Sequence, residues 1–246
     1  GDHAAIAWHA RGAGRYDEMV EAARAGAWSY LQQGATAEAL RLAEQGLSEA
    51  ERADLLAWAI DNEKSFKPAK VYFHGGEDGT YVDVDKRKVL KLRDLGSIEH
   101  VLNGRLMESL PAIMEGTGYR GPPPRSLELE LNAYGDGGFF GRHIDISTGR
   151  DRVPLGANPG EDRVITAVYY FHAEPKGFTG GALRLFRFGS EGSADGDFAA
   201  YKPLQNSILA FPSWASHDVE PVSCPSGRFA DYRFALNCWF CRELGA

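Results

Sequence analysis

Cysteine is scarce. Three thiols, Cys224, Cys238 and Cys241, stand among 246 residues. That is too few for a disulfide framework and points to a reducing, cytoplasmic setting. Basic charge is also short, since 27 Lys+Arg against 34 Asp+Glu leave a net −7. A broad phosphate-binding face is not expected, so no nucleic-acid partner is read here. No apolar run reaches the roughly 18 residues of a membrane-spanning helix, and no basic-then-apolar leader pattern is present. No unit of fixed length recurs, which disfavours a helical repeat array. What remains is 43% apolar and 25% charged, the balance of a soluble globular chain long enough for one sizeable core.

The texture changes near residue 66. Residues 15–65 are rich in Ala, Leu, Glu and Arg. Met19, Ala23, Ala27, Tyr30 and Leu31 recur at helical spacing in a segment ending at Gly34. A second helix is expected from Thr36 to Gly46. A third begins at Ser48, with Glu51 three residues on completing a capping-box pattern. The sequence KVYFHGGEDGTYVDVD then predicts two short strands around a Gly-rich turn. Residues 96–118 predict one more helical stretch, ended by the Gly-Pro-Pro-Pro run at 121–124. From there, short strands are expected at 126–134, 163–171, 181–186, 207–211 and 233–240. In the first of these, Leu127, Leu129 and Leu131 share a face. Helices followed by many short strands predict an α+β fold with a jelly-roll or barrel core. The organisation expected is a helical region, 1–66, packed on a 67–246 core, the two forming one structural domain.

The chemistry concentrates in GRHIDI. His143 and Asp145 are one residue apart, which on a strand puts both side chains on one face. An imidazole and a carboxylate side by side are two thirds of a facial triad, and His217 is the candidate for the third ligand. Two His and one carboxylate on one face of an octahedron leave open positions for a cosubstrate and O₂ at a non-haem Fe(II) centre. A lone His-x-Asp also occurs on solvated loops, so the context decides. YGDGGFF (134–140) precedes the pair. RVITAVYY (163–170), GGALRLF (180–186), HDVEPV (217–222) and RFALNCWF (233–240) follow it.

In that order of motifs, residues 127–240 resemble the prolyl-hydroxylase-type branch of the Fe(II)/2-oxoglutarate-dependent dioxygenases. The resemblance implies a double-stranded β-helix (jelly roll) with supporting helices. It implies Fe(II) held by His143, Asp145 and His217, and Arg233 binding the far carboxylate of 2-oxoglutarate. Tyr134 and Tyr170 match tyrosines that hydrogen-bond the cosubstrate in some members, and Arg163 matches a residue beside the carboxylate ligand. The implied reaction is hydroxylation of an unactivated C–H bond, coupled to decarboxylation of 2-oxoglutarate to succinate, with O₂ consumed and ascorbate a candidate reductant. Asp145 argues against halogenation, for which related enzymes carry Gly or Ala at that position.

Two readings compete for the carboxylate anchor. Arg233 lies sixteen positions after His217 and Arg228 eleven, both farther than the family usually places it. Arg233 is preferred because it keeps strand register with Asn237 and Trp239, whereas Arg228 sits in a turn and is expected to be solvated without a fixed direction. If Arg233, Tyr170 and Tyr134 face inward, so do Ala235, Asn237, Trp239, Val168, Thr166 and Asn132, with Glu130 beyond. Val219 and Leu183 are expected among the apolar walls. Cys238 and Cys241 are three apart on a strand and have no second Cys pair, so a zinc ribbon is not expected. The Gly-rich loops 146–162 and 187–202 read either as solvated connections or as lids over the substrate. The substrate is either a free amino acid or other small metabolite, or a prolyl residue in a peptide. Oligomeric state is left open. The contrasting reading is a non-catalytic jelly-roll binding module with a helical docking surface.

Overall fold

The computed structural model describes residues 47–72, 80–146, 161–186 and 198–243. The helices expected at 16–34 and 36–46, the 75–79 turn, and most of the 146–162 and 187–202 loops lie outside them.

Helix α1 (Glu49–Asp61) starts where the capping box places it. Ser48 Oγ accepts from the Glu51 N–H, and Glu51 Oε2 accepts from the Ser48 N–H at 2.9 Å, so two otherwise unpaired helix-end donors are satisfied. Short strands β1 (Lys67–Pro68), β2 (Val71–Tyr72), β3 (Thr80–Tyr81), β4 (Arg87–Lys88) and β5 (Leu90–Leu92) follow. The helical stretch expected at 96–118 is two helices, α2 (Ile98–Glu108) and α3 (Leu110–Gly116), which meet at Ser109. Pro111 explains the break. It has no N–H for the Met107 carbonyl and its ring crowds that group, yet it is tolerated in the first turn of a new helix.

The remaining strands are β6 (Ser126–Tyr134), β7 (Phe139–His143), β8 (Glu161–Phe171), β9 (Thr179–Gly180), β10 (Leu183–Phe186), β11 (Phe198–Tyr201), β12 (Ser207–Pro212), β13 (His217–Val219), β14 (Val222–Ser223) and β15 (Arg233–Glu243). The alternating segment 126–134 is a strand over its whole expected length. Strand β11 occupies part of the expected 187–202 loop, because its backbone pairs with β10 from Phe198 to Tyr201. Two antiparallel sheets face each other. One has the order β1-β5-β6-β15-β8-β12 and the other β11-β10-β13-β7-β4. This is the expected jelly roll.

Each side of the larger sheet has its own core. The outer face carries Leu129, Leu131 and Leu236 against Leu55 of α1, Leu102 of α2 and Ile113 of α3. Side chains of this size contribute roughly 1.5–3 kcal/mol each when fully buried. Asn206 Nδ2 donates to the Leu47 carbonyl at 2.9 Å, tying the start of the described chain to the sheet. The inner face packs Val168, Tyr170 and Ala235 against Leu183, Leu185 and Val219 of the smaller sheet. No helix among the described residues is long and apolar enough to cross a membrane.

The inner face also carries a buried charge cluster. Glu130, 1% exposed, accepts from Arg87 Nη2 at 3.1 Å, Lys91 Nζ at 3.1 Å and Arg93 Nε at 2.8 Å. Arg87 Nη2 also donates to Asn132 Oδ1 at 3.1 Å. Burial pushes the Glu130 carboxyl up, but Arg87, Lys91 and Arg93 outweigh it and hold the group at about 2 against an ordinary 4.5. A carboxyl lowered on folding stabilises fully above its unfolded value and loses that contribution as pH falls through its folded one. The lowering is equivalent to about 3 kcal/mol. Glu130→Gln should therefore lower the neutral-pH thermal midpoint by several degrees and flatten its decline between about pH 5 and pH 2. Superimposable acid unfolding curves for the two proteins would refute this.

Candidate active site

Strands β7 and β13 run antiparallel with His143 opposite His217. The imidazole centroids are 4.2 Å apart. Register places Phe140 opposite Val219, so three steps along β7 match two along β13. This bulge lets Phe140 and His143 share the inner face, which regular alternation would forbid. Gly141 sits within it and donates its N–H to the Lys86 carbonyl at 2.7 Å. Asp145 is not on the strand, as expected from sequence, but in the bend just past its end. Its position comes from other strands. Its N–H donates to the Ser213 carbonyl at 2.9 Å. The Thr166 hydroxyl donates to its Oδ2 at 2.8 Å and lies 3.0 Å from Ser213 Oγ.

The three side chains converge as the sequence predicts. Asp145 Oδ1 is 3.6 Å from His143 Nε2, and Oδ2 is 3.6 Å from His217 Nε2. One ligand atom from each residue fits within 4.8 Å of the others. Both rings are fixed by the same device. His143 Nδ1 lies 2.9 Å from the Gly141 carbonyl, and His217 Nδ1 lies 2.9 Å from the Ala215 carbonyl. A carbonyl only accepts, so each neutral ring carries its proton on Nδ1 and turns the Nε2 lone pair inward. Burial pushes the His143 imidazole well below its ordinary range. Burial opposes ionisation of Asp145, but His217, His143 and Arg163 together hold its carboxyl below the ordinary range. Two neutral imidazoles and a carboxylate are the donor set of a facial Fe(II) site.

Arg233 begins β15 and is 1% exposed. Its Nε donates to the Gly181 carbonyl at 2.9 Å. Its guanidinium carbon lies 4.6 Å from the Tyr134 ring centroid and 5.0 Å from that of Tyr170. Arg233 Nη1 and Nη2 and the Tyr170 hydroxyl are buried with no hydrogen-bond partner among the described residues. A buried cation with its fork unfilled is costly on its own. The missing partner has the chemistry of a carboxylate, which a guanidinium holds with two parallel bonds. Burial raises the Tyr170 phenol to about 12, with Arg233 opposing, so it is a neutral hydrogen-bond donor at physiological pH. Burial likewise raises the Tyr134 phenol. Leu183 and Val219 are cross-strand partners in the apolar wall. These residues fit a dicarboxylate cosubstrate beside a metal.

Gly181 is part of this fit. Its φ is +69°, and a Cβ there would stand 2.6 Å from Arg233 Cδ and 2.8 Å from Val222 Cγ2. Gly181→Ala should therefore push the Arg233 stem aside and cost more than about 1 kcal/mol in backbone strain alone. The check is 2-oxoglutarate affinity measured beside thermal midpoint; wild-type values of both would contradict it.

Other expectations fare unevenly. Arg228 is exposed, as predicted, but its direction is fixed by a 2.8 Å bond from Nε to Asp231 Oδ2. Asn237 lies on the inward row and is only partly buried. Trp239 is buried beneath Arg163, whose guanidinium carbon is 3.7 Å from its ring centroid. Arg163 also donates to Glu128 Oε2 at 2.7 Å. The indole Nε1 faces Asp145 without reaching hydrogen-bond geometry. All three cysteines are buried, unbridged thiols. Sequence reasoning missed the holding roles of Thr166 and Ser213, and missed Arg87 and Phe140 altogether. Inward parity was the one available signal, and for Thr166 alone.

Residues 129–241 match the model of the 2OG-Fe(II) oxygenase superfamily. An uncharacterized PKHD-type hydroxylase of Synechocystis sp. is 31% identical over 159 residues, 63% of this chain and 50% of that protein. A PKHD-type hydroxylase of Synechococcus elongatus is 29% identical over 143 residues, 58% of this chain and 53% of that one. The chain thus spans about half the length of the curated relatives it matches. Among solved structures, a Pseudomonas putida prolyl-4-hydroxylase superposes with a TM-score of 0.53 at 23% identity, covering 80% of this chain and 90% of that one. A viral collagen prolyl hydroxylase from Paramecium Bursaria Chlorella virus-1 gives 0.50 at 16%, covering 80% and 92%. At these identities the two structures speak for the fold, which is the same jelly roll.

Proposed function

We propose, from the place of residues 129–241 in the 2OG-Fe(II) oxygenase superfamily, an enzyme family, that the chain hydroxylates an unactivated C–H bond of a small metabolite or of a prolyl residue in a peptide. One observation carries the reading. A His-Asp-His cluster and a buried guanidinium with an unfilled fork share the inner face of one jelly roll. His143 Nε2, His217 Nε2 and an Asp145 oxygen would hold Fe(II), and Arg233 with Tyr170 would hold the far carboxylate of 2-oxoglutarate. Bound there, Fe(II), 2-oxoglutarate and O₂ supply the oxidising power, with succinate and CO₂ as by-products and ascorbate as a candidate reductant. The protein's part is placement. Thr166 and Ser213 hold the carboxylate ligand, the two Nδ1–carbonyl bonds aim the imidazoles, and Leu183, Val219 and Ala235 keep the pocket apolar.

The PKHD-type names of the relatives support a hydroxylase. A prolyl substrate would suit the partly buried Asn237 on the inward row, whose amide a peptide backbone can meet. The test is succinate formation from 2-oxoglutarate with Fe(II), using proline-containing peptides and free amino acids in parallel. Stimulation by one panel names the substrate class. Absence of both metal uptake and 2-oxoglutarate binding would overturn the reading and leave a jelly-roll binding module.

A further inference from the structure

We infer that Arg87 and Phe140 form a clamp that positions the His143 imidazole. The inference rests on the reading of His143 as a metal ligand and adds what fixes its ring. His143 is the least enclosed of the three, with its side chain 20% exposed against 5% for His217 and 9% for Asp145. It is also the last residue of β7. Its Nδ1–Gly141 bond sets the tautomer, but a single bond leaves the ring free to swing about that axis. His217 has an edge contact from Phe211 at 4.7 Å, and Asp145 has Thr166 and Ser213. For His143 the second restraint is Phe140, whose ring stacks on the imidazole at 3.6 Å between centroids and 20° between planes.

Phe140 is itself held. Its cross-strand neighbour is Arg87 on β4, whose guanidinium carbon lies 4.2 Å from the Phe140 ring centroid. Arg87 then reaches across the interior to the larger sheet, where Glu130 and Asn132 accept from its Nη2. Glu130 is anchored in turn by Lys91 and Arg93. The ring plane of His143, carried by the smaller sheet, is thus referenced to the facing sheet through one guanidinium and one phenyl ring. A buried arginine 8% exposed needs its carboxylate partner, so the clamp and the Glu130 cluster are one unit. Contacts that orient a ligating imidazole typically govern metal affinity by about 10–100-fold.

The experiment is a Co(II) titration of the metal-free full chain, read by its visible absorption bands with no cosubstrate present, beside a thermal midpoint for each variant. Phe140→Leu keeps apolar bulk and removes the stacking face. It should weaken Co(II) binding by about tenfold or more, whereas Phe140→Tyr should stay within about twofold of wild type. Arg87→Met should weaken it by at least about threefold. A folded Phe140→Leu variant that binds Co(II) like wild type, whatever its midpoint, overturns the clamp and leaves the metal site standing. Wild-type protein that takes up no Co(II), or takes it up equally after His143→Ala, overturns the metal reading and the clamp with it. If Phe140→Leu does not fold, Arg87→Met decides by the same criterion.

Discussion

Asp145→Ala should lower the proposed hydroxylation by more than the roughly 100-fold that marks the loss of a contact behind a ligand, while leaving the fold intact. The carboxylate stands between the two Nε2 atoms, 3.6 Å from each, and supplies the only anionic donor of the cluster. Without it two neutral imidazoles remain, a pair that neither neutralises nor faces a hard divalent cation from three sides. The fold has less to lose. Asp145 is 7% exposed; burial opposes its ionised form, but its neighbours hold the carboxyl below the ordinary range, so deleting it removes a modest stabilising contribution, while Thr166 and Ser213, 3.0 Å apart, retain each other. The expected outcome is bound iron falling toward zero, turnover lost, and a metal-free protein that still unfolds cooperatively at a somewhat lower thermal midpoint. A variant that keeps stoichiometric iron and turns over would remove Asp145 from the site.

Arg233 gives the second large effect, with opposite signs in two measurements. Its two Nη groups have no partner among the described residues, so Arg233→Met, of similar length and no charge, should leave the thermal midpoint of the protein alone unchanged or raised. With 2-oxoglutarate present the order reverses. A charge-assisted pair contributes roughly 1.5–3 kcal/mol, so the requirement for 2-oxoglutarate should rise at least about tenfold, each 1.4 kcal/mol being one decade. Arg233→Lys should restore part, because one ammonium replaces a two-pronged fork. Arg228→Ala should change the requirement by less than about twofold, since the side chain is exposed and is engaged by Asp231 rather than by the inner face. Wild-type protein should gain about 2.7 kcal/mol at a hundredfold excess of cosubstrate over Kd, and Arg233→Met should lose that gain. Reversed behaviour of the Arg228 and Arg233 variants would contradict the register of β15.

What the sequence made legible was what a single strand or turn encodes. Ser48 and Glu51 announce a helix start by themselves. Leu127, Leu129 and Leu131 define a face, and the step of two from Arg233 to Ala235 carries an inward row. The triad was legible because the order of motifs constrains it. The rest depends on contacts between distant elements. Strand β4 has two residues and no periodicity, so Arg87 carried no signal. Parity puts Glu130 on the inward row, but its partners Arg87, Lys91 and Arg93 come from elements distant in sequence and carried no signal. The bulge on β7 shifts parity locally, which is why Phe140 stacks on a residue three positions away. The split between α2 and α3 was marked by Pro111, but the helical composition on both sides masked it.

The manner in which each ligand is held differs by sequence separation. Both imidazoles lean on carbonyls two residues back along the chain. The carboxylate leans on Thr166, 21 residues on, and on Ser213 from β12's far end. Histidine aim is therefore a short-range property, written into the tripeptides Gly-Arg-His and Ala-Ser-His. The place of Asp145 is topological, and it requires the chain to close loops whose entropic cost falls due before any contact is gained. Meeting is another matter from aim: His143 reaches His217 only through the pairing of β7 with β13, and Asp145 reaches both only where β8 and β12 lie side by side. The metal site is thus complete only in the closed jelly roll, although two of its three donors are aimed by their own neighbours.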